Sequence, residues 1–201
     1  MLGQGPEQNA SATVITKDAR IDARALTSGD GGRVIVWSDE YTAFFGGISV
    51  RGGSTSGDGG FIETSSKGHL DAQGTVDASS TFGVGGLWLL DPSDIEIIAG
   101  GGLTNAASNT VGGIEVFTGS AGASTVQASL INTQLTNGVS VTVSTVSGEA
   151  DQGDITVSEA IAKTGGGDAT LILRADRNID IDANITSTTG ELNITLTGAQ
   201  T

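Results

Sequence analysis

The sequence predicts an all-β chain: a right-handed, single-stranded parallel β-helix with roughly three strands per turn. The first observation is a repeat. GDGG at Gly29 returns at Gly57, 28 residues later, and GVGG follows at Gly83. A repeat of about 20–50 residues marks a solenoid, because one unit cannot bury its own apolar face and stacks on its neighbour. The second observation lies inside the repeat. Val34 and Val36, Thr42 and Phe44, and Ile48 and Val50 alternate along three short segments. Their counterparts 28 residues on are Ile62 and Thr64, Leu70 and Ala72, and Val76 and Ala78. Alternation at period 2 places each pair on one face of a strand. Glu63, between Ile62 and Thr64, should then face water. The third observation is punctuation: Gly46, Gly47, Gly68 and Gly74 fall between segments, where a corner needs a bend without a Cβ.

Composition supports this class and removes others. The 201 residues include 32 glycines and 2 prolines, with no Gly-X-Y period, and 37 % hydrophobic content is too much for plain disorder. Acidic residues number 23 against 9 basic, a net charge of −14, so nucleic acid and anionic membrane surfaces are poor partners. The charge reads as solubility, or alternatively as cation loading of an acidic face. Cysteine is absent, which excludes a disulfide scaffold. No stretch approaches the ~20 continuous apolar residues of a membrane span. The opening MLGQGPEQNAS shows no signal-peptide pattern, and the repeat is already under way near Val14. The chain therefore reads as a segment of something longer, or as a processed piece.

Taken in order, residues 1–12 read as an irregular lead-in and 13–201 as one β-helix. Within it, 13–98 holds the longer GDGG turns, 99–138 a looser turn, and 139–201 shorter turns. TVIT from Thr13 and ARIDARA each alternate. Ile21 precedes Ile48 by 27 residues, which predicts an interior ladder Ile21–Ile48–Val76, with parallel neighbours about 4.8 Å apart. Trp88 and Leu90 fall where Ile62 and Thr64 would recur, Pro92 marks a corner or edge, and Ile95, Ile97 and Ile98 resume a strand. From Ala99 to Ala123 only Val111, Ile114 and Val116 look buried. Val126, Leu130, Ile131 and Leu135 have helical spacing over 124–136, with Ser124 or Thr125 as the cap and Asn137-Gly138 as the stop. A second alternating series follows: Val139, Val141 and Val143; Ile155 and Val157; Leu171 and Leu173; Ile179 and Ile181; Leu192, Ile194 and Leu196. The offset of 21 from Leu171 to Leu192 predicts that these two stack. The whole reads as roughly eight to nine turns of ~4.8 Å.

Four linked stretches carry a family resemblance: GGRVIVWSD (Gly31–Asp39), GGISVRGG (Gly46–Gly53), GGFIETS (Gly59–Ser65) and LLDPSDI (Leu89–Ile95). Together they resemble the filamentous haemagglutinin-like exoproteins of Gram-negative bacteria, the passengers of two-partner secretion. GDITVSEAI and LRADRNIDIDANITS are similar to the segments that follow in that family. The resemblance implies a right-handed parallel β-helix, export to the cell exterior, and service as an adhesin shaft or surface fibre. The family's N-terminal secretion domain with its Asn-Pro motifs is not visible in this sequence.

Candidate chemistry is sparse. His69, the only histidine, should point outward beside inward Leu70; without cysteine it cannot build a usual zinc site. No Gly-x-Ser-x-Gly, HExxH or Walker sequence occurs. Asp176, Asp180 and Asp182 with Arg174 and Arg177 form a charged strip, which could serve a sugar-cleaving acid and base or a calcium-assisted lyase. Alternating aspartates are also the ordinary wet face of a half-buried strand. The GDGG turns resemble calcium-binding nonapeptides, yet their beat is 28. Thr142, Thr145, Thr156, Thr186, Thr195 and Thr197 could form outward ranks for ice or glycan binding, though threonine is also a good strand residue. Asn184 and Asn193 match the glycosylation triplet. The expectation is a structural or adhesive exoprotein segment, non-enzymatic, with no catalytic residue, no cofactor and no metal. Its expected partners are adjoining turns, another copy end to end, or a host or neighbouring-cell receptor or glycan. A polysaccharide-active or glycan-binding β-helix is the alternative.

Overall fold

The computed structural model describes residues 7–100, 106–111, 114–119, 124–145 and 153–198. Short Val-, Ile- and Thr-rich runs separated by glycine give strands of three to six residues, and these wind into parallel rungs. Strands β1 (Ala12–Ile15) and β2 (Arg20–Asp22) open the stack. The first full turn is β3 (Arg33–Val36), β4 (Tyr41–Phe44) and β5 (Gly47–Ser49); the second is β6 (Phe61–Ser65), β7 (His69–Ala72) and β8 (Thr75–Asp77). The third begins with β9 (Leu87–Asp91) and β10 (Ile95–Ile98), then departs into the antiparallel hairpin β11 (Ala106–Val111) and β12 (Ile114–Gly119). The chain returns as β13 (Ser124–Gln127) and α1 (Ala128–Thr136). Two further turns follow: β14 (Ser140–Ser144), β15 (Ile155–Val157) and β16 (Ile161–Lys163), then β17 (Ala169–Arg174), β18 (Ile179–Ile181) and β19 (Ile185–Ser187). β20 (Leu192–Thr197) starts another.

The described residues thus make about five complete turns, fewer than the eight to nine expected. Each turn consumes more chain than the strands alone suggest, and the excursion after β10 adds no complete rung to all three faces. One face is the run β3–β6–β9–β14–β17–β20 in sequence order. The third face runs β2–β5–β8, then resumes as β16–β19.

The 28-residue ladder stands as expected. Ile21 pairs with Ile48 and Ile48 with Val76, Val34 with Ile62, Thr42 with Leu70, and Phe44 with Ala72. Ile62 pairs with Trp88 and Thr64 with Leu90. The inward members are buried, except Ile21 and Val34 in the first rungs, which are partly so, and each large aliphatic that is fully buried contributes about 1.5–3 kcal/mol by leaving water. Trp88 fills the interior, and its indole N–H donates to Thr64 Oγ1 at 3.1 Å. Later the register departs from expectation. Leu192 lies beside Ala169, and Leu171 pairs with Ile194. The shift is two residues, which leaves every side chain on its own face, so the apolar pattern could not distinguish the two.

The second departure is α1. Residues 124–127 form a strand, so Ser124 does not cap the helix: its Oγ accepts the Leu70 N–H at 2.9 Å. Gln127 stands at the N-cap without a side-chain bond, while Gly138, at φ +74°, ends the helix as expected. β13 enters the second face, β1–β4–β7–β13–β10–β15–β18, out of chain order, between β7 and β10 and parallel to both. α1 then occupies the third face between β8 and β16, where a strand would stand. Two amides complete the edges it meets. Gln134 Nε2 donates to the Val76 carbonyl at 2.8 Å, and Asn132 Oδ1 accepts the Ala162 N–H at 2.8 Å. The side chains of Val111, Ile114 and Val116, and residues 1–6 of the lead-in, lie outside the described residues.

Candidate functional site

The GDGG motif resolves into three jobs at one corner. Its first glycine takes a left-handed backbone, φ +107° at Gly29 and +117° at Gly57, which favours glycine. Its second glycine approaches the neighbouring corner too closely for a side chain: a Cβ on Gly31 or Gly59 would lie 1.8 Å from the Val50 or Ala78 carbonyl oxygen. Between them the aspartate reaches one rung on. Asp30 Oδ1 accepts the Asp58 N–H, and Asp58 Oδ1 accepts the Val84 N–H, both at 2.8 Å.

Other corners repeat the device. Asp94 Oδ1 accepts the N–H groups of Gly153 and Asp154, and Asp168 Oδ1 accepts that of Glu191. Asp154 receives the Arg177 guanidinium through Nε at 2.7 Å and through Nη2, and also the Asn178 N–H and amide at 3.1 Å. The Arg177 hydrogen bond is the main reason its carboxyl lies below the ordinary aspartate range.

The charged strip is therefore divided. Arg177 faces Asp154 at the corner, Arg174 stands on the outward face of β17, and Asp180 stands on the outward face of β18, beyond Thr156. Asp180 and Asp182 are exposed. The threonines are divided too: Ile172 separates Thr142 from Thr195, and Thr145 is buried, donating to the Gly153 carbonyl.

Two outward faces hold what the sequence did not suggest. Glu63, expected in water, is 0 % exposed, and neither carboxylate oxygen has a hydrogen-bond partner. Ser65, on the same side of β6, is equally buried, and its hydroxyl is unpartnered. Ser65 pairs with Asp91 of β9, itself buried, whose Oδ1 is also unpartnered. Burial raises the Asp91 carboxyl above its ordinary range; a Ser144 hydrogen bond opposes this and the Glu63 charge adds to it. Round the corner, His69 lies beside Tyr41, and Asp71 follows on the same outward side. His69 points outward as expected but is half-buried, with Nδ1 enclosed and unpartnered, as are Tyr41 Oη and Asp71 Oδ2. Burial raises both the Asp71 carboxyl and the Tyr41 hydroxyl. Alternation could place these residues on the outer side of a strand; it carried no signal that the outer side is dry.

A shallow groove of about 860 Å³ follows the double-glycine corner across several rungs. Asp30, Arg33, Asp58, Phe61, Leu87 and Ile172 are among its lining, with Arg33 stacked 4.4 Å over the Phe61 ring. Among the described residues no three His, Asp or Glu side chains converge as a metal site. No described helix is long and apolar enough to cross a membrane. No protein-family model matches the chain, and no curated protein matches it.

Proposed function

We propose that this chain is a structural or adhesive segment of a secreted bacterial surface exoprotein, a shaft or fibre element without catalysis. The observation that carries this reading is the use made of the aspartates. Asp30, Asp58, Asp94, Asp154 and Asp168 each accept backbone N–H groups from another rung, fastening turn to turn. Acids committed in this way hold a long object together. The resemblance of Gly31–Asp39, Gly59–Ser65 and Leu89–Ile95 to filamentous haemagglutinin-like exoproteins supports the same reading, and with it a location outside the cell.

The second element of the proposal is end-to-end association with another copy. β3 and β20 are the two edges of one parallel sheet. At the β18–β20 end, the inward positions Ile181, Ile194 and Leu196 are 41–49 % exposed. A parallel edge accepts a strand of matching direction, and such contacts, being heterologous, extend as filaments. Sedimentation over a hundredfold concentration range should show mass increasing with concentration, and Asn193→Pro or Asn193→Lys on β20 should suppress it. A strict monomer throughout would remove this element.

The alternative, a glycan-binding or polysaccharide-active module, is favoured by the groove with its exposed acids and the Arg33–Phe61 stack. Incubating the protein with pectins, glucans and host glycans decides between the two. Turnover of any of them, abolished by Asp180→Asn with Asp182→Asn or by Asp58→Asn, would overturn the non-catalytic reading.

A further inference from the structure

Glu63, Ser65 and Asp91 present an arrangement that the shaft reading leaves unexplained. All three stand on the outward side of the β6–β9 pair, and all are enclosed. Four of their oxygens, Glu63 Oε1 and Oε2, Ser65 Oγ and Asp91 Oδ1, lack a hydrogen-bond partner. An ionised carboxylate so placed costs several kcal/mol unless something positive compensates it. Arg174, two rungs along the same ladder through Ser144, favours the charged form of Asp91 from a distance, but it forms no ion pair with either acid among the described contacts.

Beyond separate protonation of each acid, two resolutions tie the pair together, a shared proton or a bound cation. A shared proton would join the two carboxyls by a hydrogen bond, and no Glu63 oxygen has any such contact. A cation instead draws the oxygens around itself while they remain apart from one another. The register suits this. Ser65 and Asp91 are direct neighbours across parallel strands about 4.8 Å apart, and Glu63 lies one same-side step, about 6.6 Å, along β6. Ser144, the next residue on the ladder after Asp91, brings a further hydroxyl.

We propose that the outward face of β6 and β9 binds one calcium ion through Glu63, Ser65 and Asp91, with Ser144 at its border. The donors are all hard oxygens, without nitrogen or sulfur, which excludes a zinc-type site. Carboxylates and hydroxyls on two strands form an irregular set, which calcium accepts and magnesium, needing near-ideal octahedral geometry, does not. Two negative charges balance the ion. Bound there, it would lock β6 to β9 and attach a cation requirement to the shaft.

The test uses the whole chain, stripped with EDTA and then given CaCl₂, with MgCl₂ and NaCl as comparison arms. At calcium about 100-fold above its Kd, the wild-type Tm should rise by roughly 5–10 °C. Magnesium and sodium should fall well short of that. Glu63→Gln should change sign between conditions: more stable than wild type in EDTA, because a buried charge has gone, and less stable in calcium, because a ligand has gone. A Glu63→Gln effect equal in both conditions would assign the residue to packing alone and overturn the proposal. Calorimetric titration of the stripped wild type keeps the test independent of variant folding: about one calcium per chain supports the site, and absence of binding up to about 10 mM, tenfold above the ~1 mM of the weakest protein calcium sites, sinks it. Asp180→Asn with Asp182→Asn should leave the titration unchanged; loss of binding there would move the ion elsewhere.

Discussion

The corner aspartates and the face carboxylates are the same chemistry in opposite settings. Asp58 and Asp154 sit at bends, accept N–H groups from the adjoining rung, and keep contact with water. Glu63 and Asp71 sit on flat strand faces, are enclosed, and leave oxygens without partners. A corner exposes backbone N–H groups that its own turn cannot use, so a short acid there finds donors ready-made. A strand in mid-sheet has already given its N–H groups to the ladder and leaves a face acid none. Lys163 shows that burial alone is not the difference: its ammonium, equally enclosed, donates to the Gly165 and Thr189 carbonyls.

The strongest way to sharpen this contrast is to place an acid where neither donors nor an ion can reach. Ile48 lies between Ile21 and Val76 and is 3 % exposed. Ile48→Asp should cost several kcal/mol and unfold the segment, while Ser49→Asp beside it should stay within about 0.5 kcal/mol. Equal melting temperatures for the two would show the assigned inward side to be wrong. Next in size is removal of a corner acceptor: Asp58→Ala strands the Val84 N–H and should cost about 1 kcal/mol in urea denaturation.

Acid titration should divide the two settings by sign. Asp154, held low chiefly by Arg177, contributes stability that is complete above the ordinary value of 3.8 and lost as pH falls below it. Asp71, raised chiefly by burial, binds its proton more tightly folded than unfolded, so its contribution improves as pH falls towards 3.8. Asp71→Asn should therefore stabilise the protein at pH 7, with the advantage shrinking by pH 4. Asp154→Asn should destabilise at pH 7 and converge with wild type in acid. Thermal melts across that range read both slopes, and slopes of the same sign would break the contrast. The smallest effect is expected at the exposed pair, where Asp180→Asn with Asp182→Asn should alter Tm by less than the shift equivalent to about 0.5 kcal/mol.

The rungs were legible because a 28-residue beat and a two-residue alternation reinforce one another. Ile21, Ile48 and Val76 could be stacked from their numbers alone, and the structure pairs them so. The partner of Leu192 is not legible in the same way, because parity is blind to a two-residue slip. The apolar spacing puts Val126 in a helix because a four-residue strand running directly into a helix shares that spacing with it. Alternation puts Glu63 in water for a different reason: periodicity reports which side a residue takes, never what lies against that side. The candidate ion site was invisible for the same cause, since its members are spread over two rungs and follow no known spacing.

The displaced strand β13 gives the molecule a direction-dependent way of coming apart. Where neighbours in the stack are also neighbours along the chain, tension applied to one end peels rungs singly, each release independent of the rest. β13 breaks that order by lying between β7 and β10, although β10 precedes it in the chain. Peeling from the β20 end proceeds through β18 and β15 and then meets β10 and β13 fastened to each other and to β7. Neither can leave while the other holds its place, so the third turn should yield as a unit. The stack would have a weak β20 end and a latch in its middle, and a pulling trace should record small steps followed by one large one.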